Sequence, residues 1–181
     1  MHLAKIEEKT RCYSGDYKTF SALPEEGDAV KLAEALIMRA ECNKRIEQLK
    51  HRIIGSTTVQ EGDTPPEDPR ELLEEFERTV NDLMGWIRRI NRTNCLTEFQ
   101  PGESLADALA KRDVLLLRRK AYSKIIQSAY ITQNRYSRSE VKYKAALDVQ
   151  ELQKLVDSLS KATRELDSRI QELNWKINLM D

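Results

Sequence analysis

Apolar residues recur every three or four positions in four long stretches of this chain. That period is typical of amphipathic α-helices, because 3.6 residues complete one helical turn. After Gly102 the chain contains no glycine and no proline, so the residues that usually interrupt helices are missing there. The pattern predicts an all-α protein with four helices, over about residues 29–54, 68–94, 104–130 and 148–177.

Capping motifs indicate where these helices begin. In the second, Asp68 is a predicted N-cap, Pro69 occupies the first helical position, and Glu71 completes a capping box. Asp148 and Glu151 repeat this spacing at the start of the fourth helix. Asp28 and Gly55 are the predicted start and stop signals of the first helix.

Helices of this length are rods of about 40 Å, at 1.5 Å per residue. Rods of similar length with broad apolar faces pack side by side, so we expect a four-helix bundle or paired helical hairpins. The third connection is long, and residues 140–145 alternate polar and apolar side chains as a strand would. We therefore expect a short strand-like segment between the third and fourth helices.

Composition excludes several classes of function. Thirty basic residues balance thirty acidic ones, so the whole chain has no net attraction to nucleic acid or anionic lipid. The longest aliphatic run, residues 114–117, is far too short to span a membrane. Three cysteines without a CxxC pair indicate neither disulfides nor zinc. These features favour a cytoplasmic protein that does not bind membranes.

Charge is nevertheless unevenly distributed. Residues 61–82 contain nine acidic side chains against two arginines, and residues 111–144 contain ten basic side chains against two acidic ones. In an up-down-up-down bundle the first and third connections lie at the same end. We expect the two segments to meet there, within one subunit or across a dimer.

Enzyme signatures are missing from the sequence. The histidines, His2 and His51, have no second metal ligand at helical spacing, and no Glu-x-x-His motif is present. Phosphate-binding and G-x-S-x-G motifs are also missing. We therefore predict no catalytic residue, no metal site and no cofactor.

Polar side chains interrupt the apolar stripes of all four helices. If they are buried, they form a polar layer that fixes helix register, or they line a pocket for a small anionic ligand or for catalysis. A third interpretation is that they face solvent. In the buried layer Arg112 would pair with Asp167 or Asp113, and its loss would cost about 3–5 kcal/mol. The candidate residues are Arg39, Asn91, Asn94, Arg112, Asp113, Asp167 and Arg169.

Basic and aromatic residues alternate within the third connection. Such a segment suits single-stranded nucleic acid, because bases stack on rings while cations contact phosphates. Tyrosine and arginine are equally favoured at protein interfaces, so a protein partner is the other interpretation. The residues are Tyr130, Arg135, Tyr136, Arg138, Lys142, Tyr143 and Lys144.

Six segments of the chain carry a resemblance to a known family: residues 31–40, 45–49, 90–94, 112–113, 135–140 and 165–175. Together they resemble the septicolysin-like family of small bacterial helical proteins. The resemblance covers about residues 30–178 and implies a domain of unknown function without established site residues. No helix has the lysine-rich face and apolar face of a pore-forming or interfacial helix.

The same resemblance bears on the start of the domain. Similar proteins begin with Met-Lys-Leu-Ala-Glu-Ala-Leu, which aligns with the segment beginning at Val30. A GTG start codon reads as valine when it is internal. We therefore expect residues 1–29 to be a disordered leader or a mis-assigned start, and residues 30–181 to form a single helical-bundle domain.

These patterns favour a non-enzymatic interaction or scaffold protein that assembles with itself or with a protein partner. Runs such as residues 115–117 place apolar side chains on more than one helix face, which four helices alone would leave partly uncovered. Two alternatives stay open. One is an RNA-binding module using residues 130–144, and the other is an enzyme or anionic-ligand binder using the polar layer.

Overall fold

In the computed structural model, which describes residues 29–129 and 146–181, the chain forms four long helices. The all-α prediction is confirmed, and in the described residues the only sheet is a two-stranded hairpin, β1 (Glu98–Gln100) and β2 (Glu103–Ser104), between the second and third helices. The helices are α1 (Leu32–Ser56), α2 (Pro69–Leu96), α3 (Leu105–Ala129) and α4 (Val149–Lys176).

The helices associate as two hairpins. Arg45 of α1 hydrogen-bonds Glu75 of α2, with Nε 2.9 Å from Oε1, and further along α1 the Nε of Arg52 is 2.9 Å from Oε2 of Glu67. Because the partner number falls as the α1 number rises, the two helices are antiparallel. Helix α3 packs mainly on α4, while contacts between the hairpins are less extensive. Of the predicted arrangements, paired helical hairpins describe the molecule best.

The hydrophobic core lies where the hairpins meet. The beginnings of α1 and α3 and the ends of α2 and α4 contribute to one buried cluster, with Trp86 fully enclosed. Away from this junction, Leu49 and Leu72 are buried in the first hairpin, and Ile126 and Leu159 in the second. The junction cluster comprises Leu32, Ala35, Cys42, Trp86, Ile90, Leu105, Ala108, Leu166, Ile170 and Leu179.

Two extended segments fasten α1 to the end of α4. Lys31 and Asn178 form an antiparallel bridge, and the Leu179 N–H donates to the Val30 carbonyl at 2.8 Å. The Lys31 Nζ also donates to Asn178 Oδ1 at 2.7 Å. Because residues 30 and 31 are extended in this bridge, α1 begins at Leu32 and not near residue 29 as predicted. The predicted cap Asp28, with all of residues 1–28, lies outside the described residues.

A tight hairpin connects α2 to α3. Gln100 and Glu103 are paired across β1 and β2, and Gly102 in the turn between them has φ +78°, a conformation that favours glycine. The Leu105 N–H then donates to the Thr97 carbonyl at 2.8 Å, which closes the base of the hairpin. These strands were not predicted from the sequence. The strand that was predicted, at residues 140–145, lies outside the described residues.

Local capping chemistry sets the start of the later helices. As predicted, Asp68 and Asp148 cap their helices. The Asp68 side chain accepts a hydrogen bond from the Arg70 N–H, and the Asp148 side chain accepts from the N–H groups of Gln150 and Glu151. Helix α3 begins with a capping box, formed by Ser104 and Asp107, that was not predicted. In it, Ser104 Oγ accepts from the Asp107 N–H, and Asp107 accepts from the Ser104 N–H at 3.0 Å. The Ser104 hydroxyl also donates to Asp107 Oδ2 at 2.6 Å, and this bond, together with the weaker effect of the Ser104 N–H, lowers the pKa of the Asp107 carboxyl.

We expect Ile90→Ala to lower the free energy of unfolding by about 2–5 kcal/mol, because it removes a side chain that is 1% exposed in the junction cluster. The matched control is Ile54→Ala, since Ile54 is 62% exposed and its truncation should change stability by about 0.5 kcal/mol or less. Urea unfolding followed by circular dichroism measures both. Equal losses in the two variants would contradict the placement of the core.

Candidate functional site

The structure does not bury the predicted polar layer. Asn91, Asp113 and Arg169 are exposed, so the prediction of a buried layer is wrong for these three residues. The other four candidates, Arg39, Asn94, Arg112 and Asp167, are partly buried.

The error on α2 is one of helix phase. The buried face of this helix carries Ile90 and Thr93, followed by Thr97 just beyond its end. Asn91 is one residue, or 100° of rotation, past Ile90 on the helix, and Asn94 is the same step past Thr93.

Three of the seven candidates form a charged cluster between α3 and α4. The Arg112 guanidinium donates to Asp113 Oδ1 at 2.8 and 3.0 Å, and its Nη1 lies 3.8 Å from Asp167 Oδ1. The Arg112 side chain is 27% exposed and both carboxylates are more exposed than it is. Within the described ranges, no other hydrogen bond or ion pair joins members of this set. The cluster links α3 to α4, and solvent partly screens its charges.

Arg169 has a different role in the structure. Its guanidinium lies over the Phe99 ring, with Cζ 4.5 Å from the ring centroid, which is a cation–π contact. This contact attaches the β1–β2 hairpin to α4. Arg169 and Arg112 therefore contact different partners, although both were predicted to line one pocket.

The buried polar residues of the junction were not predicted. Thr93 is fully buried, donates to the Arg89 carbonyl at 2.8 Å, and accepts from the Met180 N–H at 2.9 Å. Asn174 of α4 is also buried. The sequence did contain a signal for Thr93, because it follows Ile90 by three positions on the apolar stripe of α2.

Arg89 lies next to these buried polar residues and contacts Asp181. Its guanidinium lies 5.8 Å from the centroid of the Trp86 ring, and its Nη2 is 2.6 Å from Asp181 Oδ1. In the described part of the chain, Trp86 Nε1, Arg89 Nε and Thr97 Oγ1 are buried without a hydrogen-bond partner. The contacts that join the end of α2 to the last residues are instead those of Thr93 with Met180 and of Arg89 with Asp181.

A cleft of about 720 Å³ lies at the far end of the first hairpin, lined by residues that include Arg52, Glu67, Leu72 and Glu75. The hydrogen bond from Arg52 lowers the pKa of the Glu67 carboxyl. That pair therefore stabilises the fold above the ordinary glutamate pKa, and the contribution is lost as the pH falls through the lowered value. Glu75 is engaged by Arg45. Arginines of α1 thus already neutralise two of the carboxylates of the cleft.

The two described cysteines lie in different surroundings. Cys42 is buried in the junction, and burial raises the pKa of its thiol, with Asp82 and Glu41 adding to the effect. A raised thiol pKa reduces the thiolate fraction that reacts. Cys95 is exposed near the end of α2. Among the described residues, no group of three or more His, Cys, Asp or Glu side chains is arranged to hold a metal ion.

Exposed apolar side chains are the most conspicuous surface feature. On α3 they follow one another along a single face, which we call the α3 stripe: Ala110, Val114, Leu117, Ala121 and Ile125, all of them exposed. On α2 a second series, the α2 stripe, comprises Leu73, Val80, Met84 and Ile87, of which only Val80 is partly buried.

The predicted basic and aromatic interaction residues are not placed by the structure. Residues 130–145 lie outside the described ranges, and all seven residues of this set belong to that segment. The set is Tyr130, Arg135, Tyr136, Arg138, Lys142, Tyr143 and Lys144. None of the helices in the described ranges is long and apolar enough to cross a bilayer.

Comparisons with known proteins place the chain among uncharacterised relatives. The sequence profile of a family described as "Family of unknown function (DUF6847)" matches residues 39–179. A crystal structure of a functionally unknown conserved protein from Corynebacterium diphtheriae is 45% identical, with a TM-score of 0.80, and the match covers 84% of this chain and 100% of that one. A search of curated proteins gave no match. Unknown function agrees with what the resemblance implied, but neither description mentions septicolysin.

We expect Arg112→Ala to lower the free energy of unfolding by about 1 kcal/mol or less, because its ion pairs are partly exposed and screened by solvent. This is well below the 3–5 kcal/mol expected of a fully buried pair. Arg119→Ala on the same helix is the control, since Arg119 is exposed. Urea unfolding at low and high salt is the measurement, and a loss of about 3 kcal/mol or more would show that the cluster is buried after all.

We expect Cys95 to react with iodoacetamide at least about ten times faster than Cys42 at pH 8, because Cys42 is buried and its thiol pKa is raised. Peptide mass spectrometry over a time course distinguishes the two sites. In urea, where burial is lost, the two rates should become similar. Equal rates in the native protein would contradict the packing of Cys42 in the junction.

Proposed function

This chain belongs to the DUF6847 family of unknown function, and we propose that it is a helical interaction protein that works by assembling with itself or with a protein partner. The proposal concerns what its surfaces bind and includes no chemical step. It does not depend on the septicolysin-like resemblance.

The observation that carries the proposal is the α3 stripe. Leu117 is 67% exposed at its centre, and Val114 and Ile125 are exposed on the same face. Large apolar side chains scattered singly over a surface are ordinary, but a contiguous series is typical of protein interaction sites. Since the described residues leave the stripe uncovered, it supports a surface that binds a partner.

The charged cluster around Arg112 supports catalysis less well than the α3 stripe supports protein binding. Arg112 already donates two hydrogen bonds to Asp113 and its Nη1 approaches Asp167, so part of its guanidinium is engaged within the protein. A catalytic or anion-binding arginine needs donors aimed at an open site. An enzyme built on this polar layer consequently has weaker support than an interaction surface.

Nucleic-acid binding is the second candidate, and one observation favours it. Arg118, Arg119, Lys120 and Lys124 are all exposed on α3, close in sequence to the basic and aromatic residues 130–144. Binding through such a surface would weaken steeply with salt. It would also be lost on combining Arg135→Ala with Tyr136→Ala, as measured by anisotropy with a labelled pool of mixed single-stranded oligonucleotides.

We expect purified protein at micromolar concentration to scatter light as a particle of at least twice the 21.0 kDa chain mass, and to dissociate on dilution. Size-exclusion chromatography with light scattering over a hundredfold concentration range is the measurement. Circular dichroism on the same samples controls for folding. A well-folded particle of chain mass at every concentration would count heavily against the proposal.

A further inference from the structure

The α3 stripe has the spacing of a helix–helix interface. Its residues follow one another at intervals of four, three, four and four, which keeps them on one side of the helix over about 22 Å. Alternating steps of four and three are the pattern by which one helix packs along another in coiled coils. The face is therefore suited to a helical partner.

Helix α3 already uses its opposite face within its own molecule. Leu105 and Ala108 lie in the junction cluster, and Ile126 is buried further along the helix. Counting 100° per residue, Ala108 and Ile126 are on the side opposite Leu117. Helix α3 thus has two apolar faces, and the described residues of the chain cover only one of them.

The charges beside the α3 stripe limit what can pack on it. Exposed basic residues flank it on both sides, with Lys111 and Arg118 on one edge and Lys120 and Lys124 on the other. Pairing α3 with α3 of another copy would bring like charges together, which is unfavourable. Over residues 110–125 six basic side chains stand against one acidic one, so a matching helix should be acidic.

Helix α2 offers such a match. Over residues 71–84 it has five acidic side chains against one arginine. Glu74 and Glu77 are exposed, beside the exposed apolar residues Leu73 and Met84 of the α2 stripe. The two stripes combine exposed apolar centres with charge of opposite sign.

We propose that the α3 stripe of one chain packs on the α2 stripe of a second copy, and that the reciprocal contact closes a two-fold dimer. This inference rests on the proposed function and specifies its partner. The contact between an α3 stripe and an α2 stripe then occurs twice, and the two-fold axis relates the two contacts, as an isologous interface requires. Nucleic acid is a poorer occupant, because phosphates would face Val114 and Leu117 at the centre of the stripe.

The first test uses the full chain with a substitution at the centre of the stripe. Leu117→Glu places a charge in the proposed interface and should weaken dimerisation at least about tenfold in light scattering. Leu96→Glu is the matched control, because Leu96 is 62% exposed on α2 but lies away from the α2 stripe. It should dimerise as the wild type does. Equal helical circular dichroism in both variants excludes unfolding as the cause.

The second test reverses charges and identifies the partner surface. One variant carries Arg118→Glu with Lys120→Glu, and the other carries Glu74→Lys with Glu77→Lys. Each alone places like charges opposite one another at the substituted positions of both contacts and should weaken dimerisation at least about tenfold. Mixed, they form a heterodimer whose two contacts are both complementary, so the mixture should regain the dimer mass.

The outcomes separate this inference from the proposed function. A dimer that persists in Leu117→Glu overturns the inference while leaving self-assembly intact. Failure of the mixed charge variants to associate overturns the pairing of α3 with α2. A monomeric wild type overturns the inference and counts against the proposed function as well. Oligonucleotide binding that is lost with Arg118→Glu and Lys120→Glu, without any change in mass, would assign the surface to nucleic acid instead.

Discussion

The antiparallel bridge between Lys31 and Asn178 is the constraint on which the rest of this fold depends. It holds the beginning of α1 against the end of α4, while the β1–β2 hairpin holds the end of α2 against the beginning of α3. Four helix ends are thereby brought together around Trp86. Backbone hydrogen bonds at both closures, long-range between residues 30–32 and 177–179 and local in the β1–β2 hairpin, let the apolar cluster form at one place.

The same arrangement determines how much surface each helix can bury. Where four helix ends meet, a helix has several neighbours, but along a hairpin it packs mainly on one. A helix with a single neighbour covers only one stripe of its circumference. Apolar residues such as Val114 and Leu117 are then exposed because α4 packs on the other side of α3. Exposure of these residues is thus a consequence of the hairpin architecture.

The features predictable from the sequence are those fixed locally. Asp68 and Asp148 cap their helices because the capping hydrogen bond involves residues only two or three positions away. Burial of polar side chains was predicted less well. Asn91 and Thr93 differ by two positions, and although the spacing from Ile90 favours Thr93, the packing of neighbouring helices decides which of them faces the core. The pairing of residues 31 and 178 has no local signal, so the junction could not be derived from periodicity.

Helix α3 shows why the sequence could not determine which helix face is exposed. Its apolar residues form two stripes of helical spacing, and either could have been the buried one. The hairpin with α4 selects the face of Ala108 and Ile126 and leaves the face of Leu117 open. A two-helix arm buries little apolar area on its own, so a partner that covers the open face also stabilises the folded arm. In the proposed dimer, assembly and stability of this hairpin would be coupled, and conditions that dissociate the dimer should also make α3 and α4 easier to unfold.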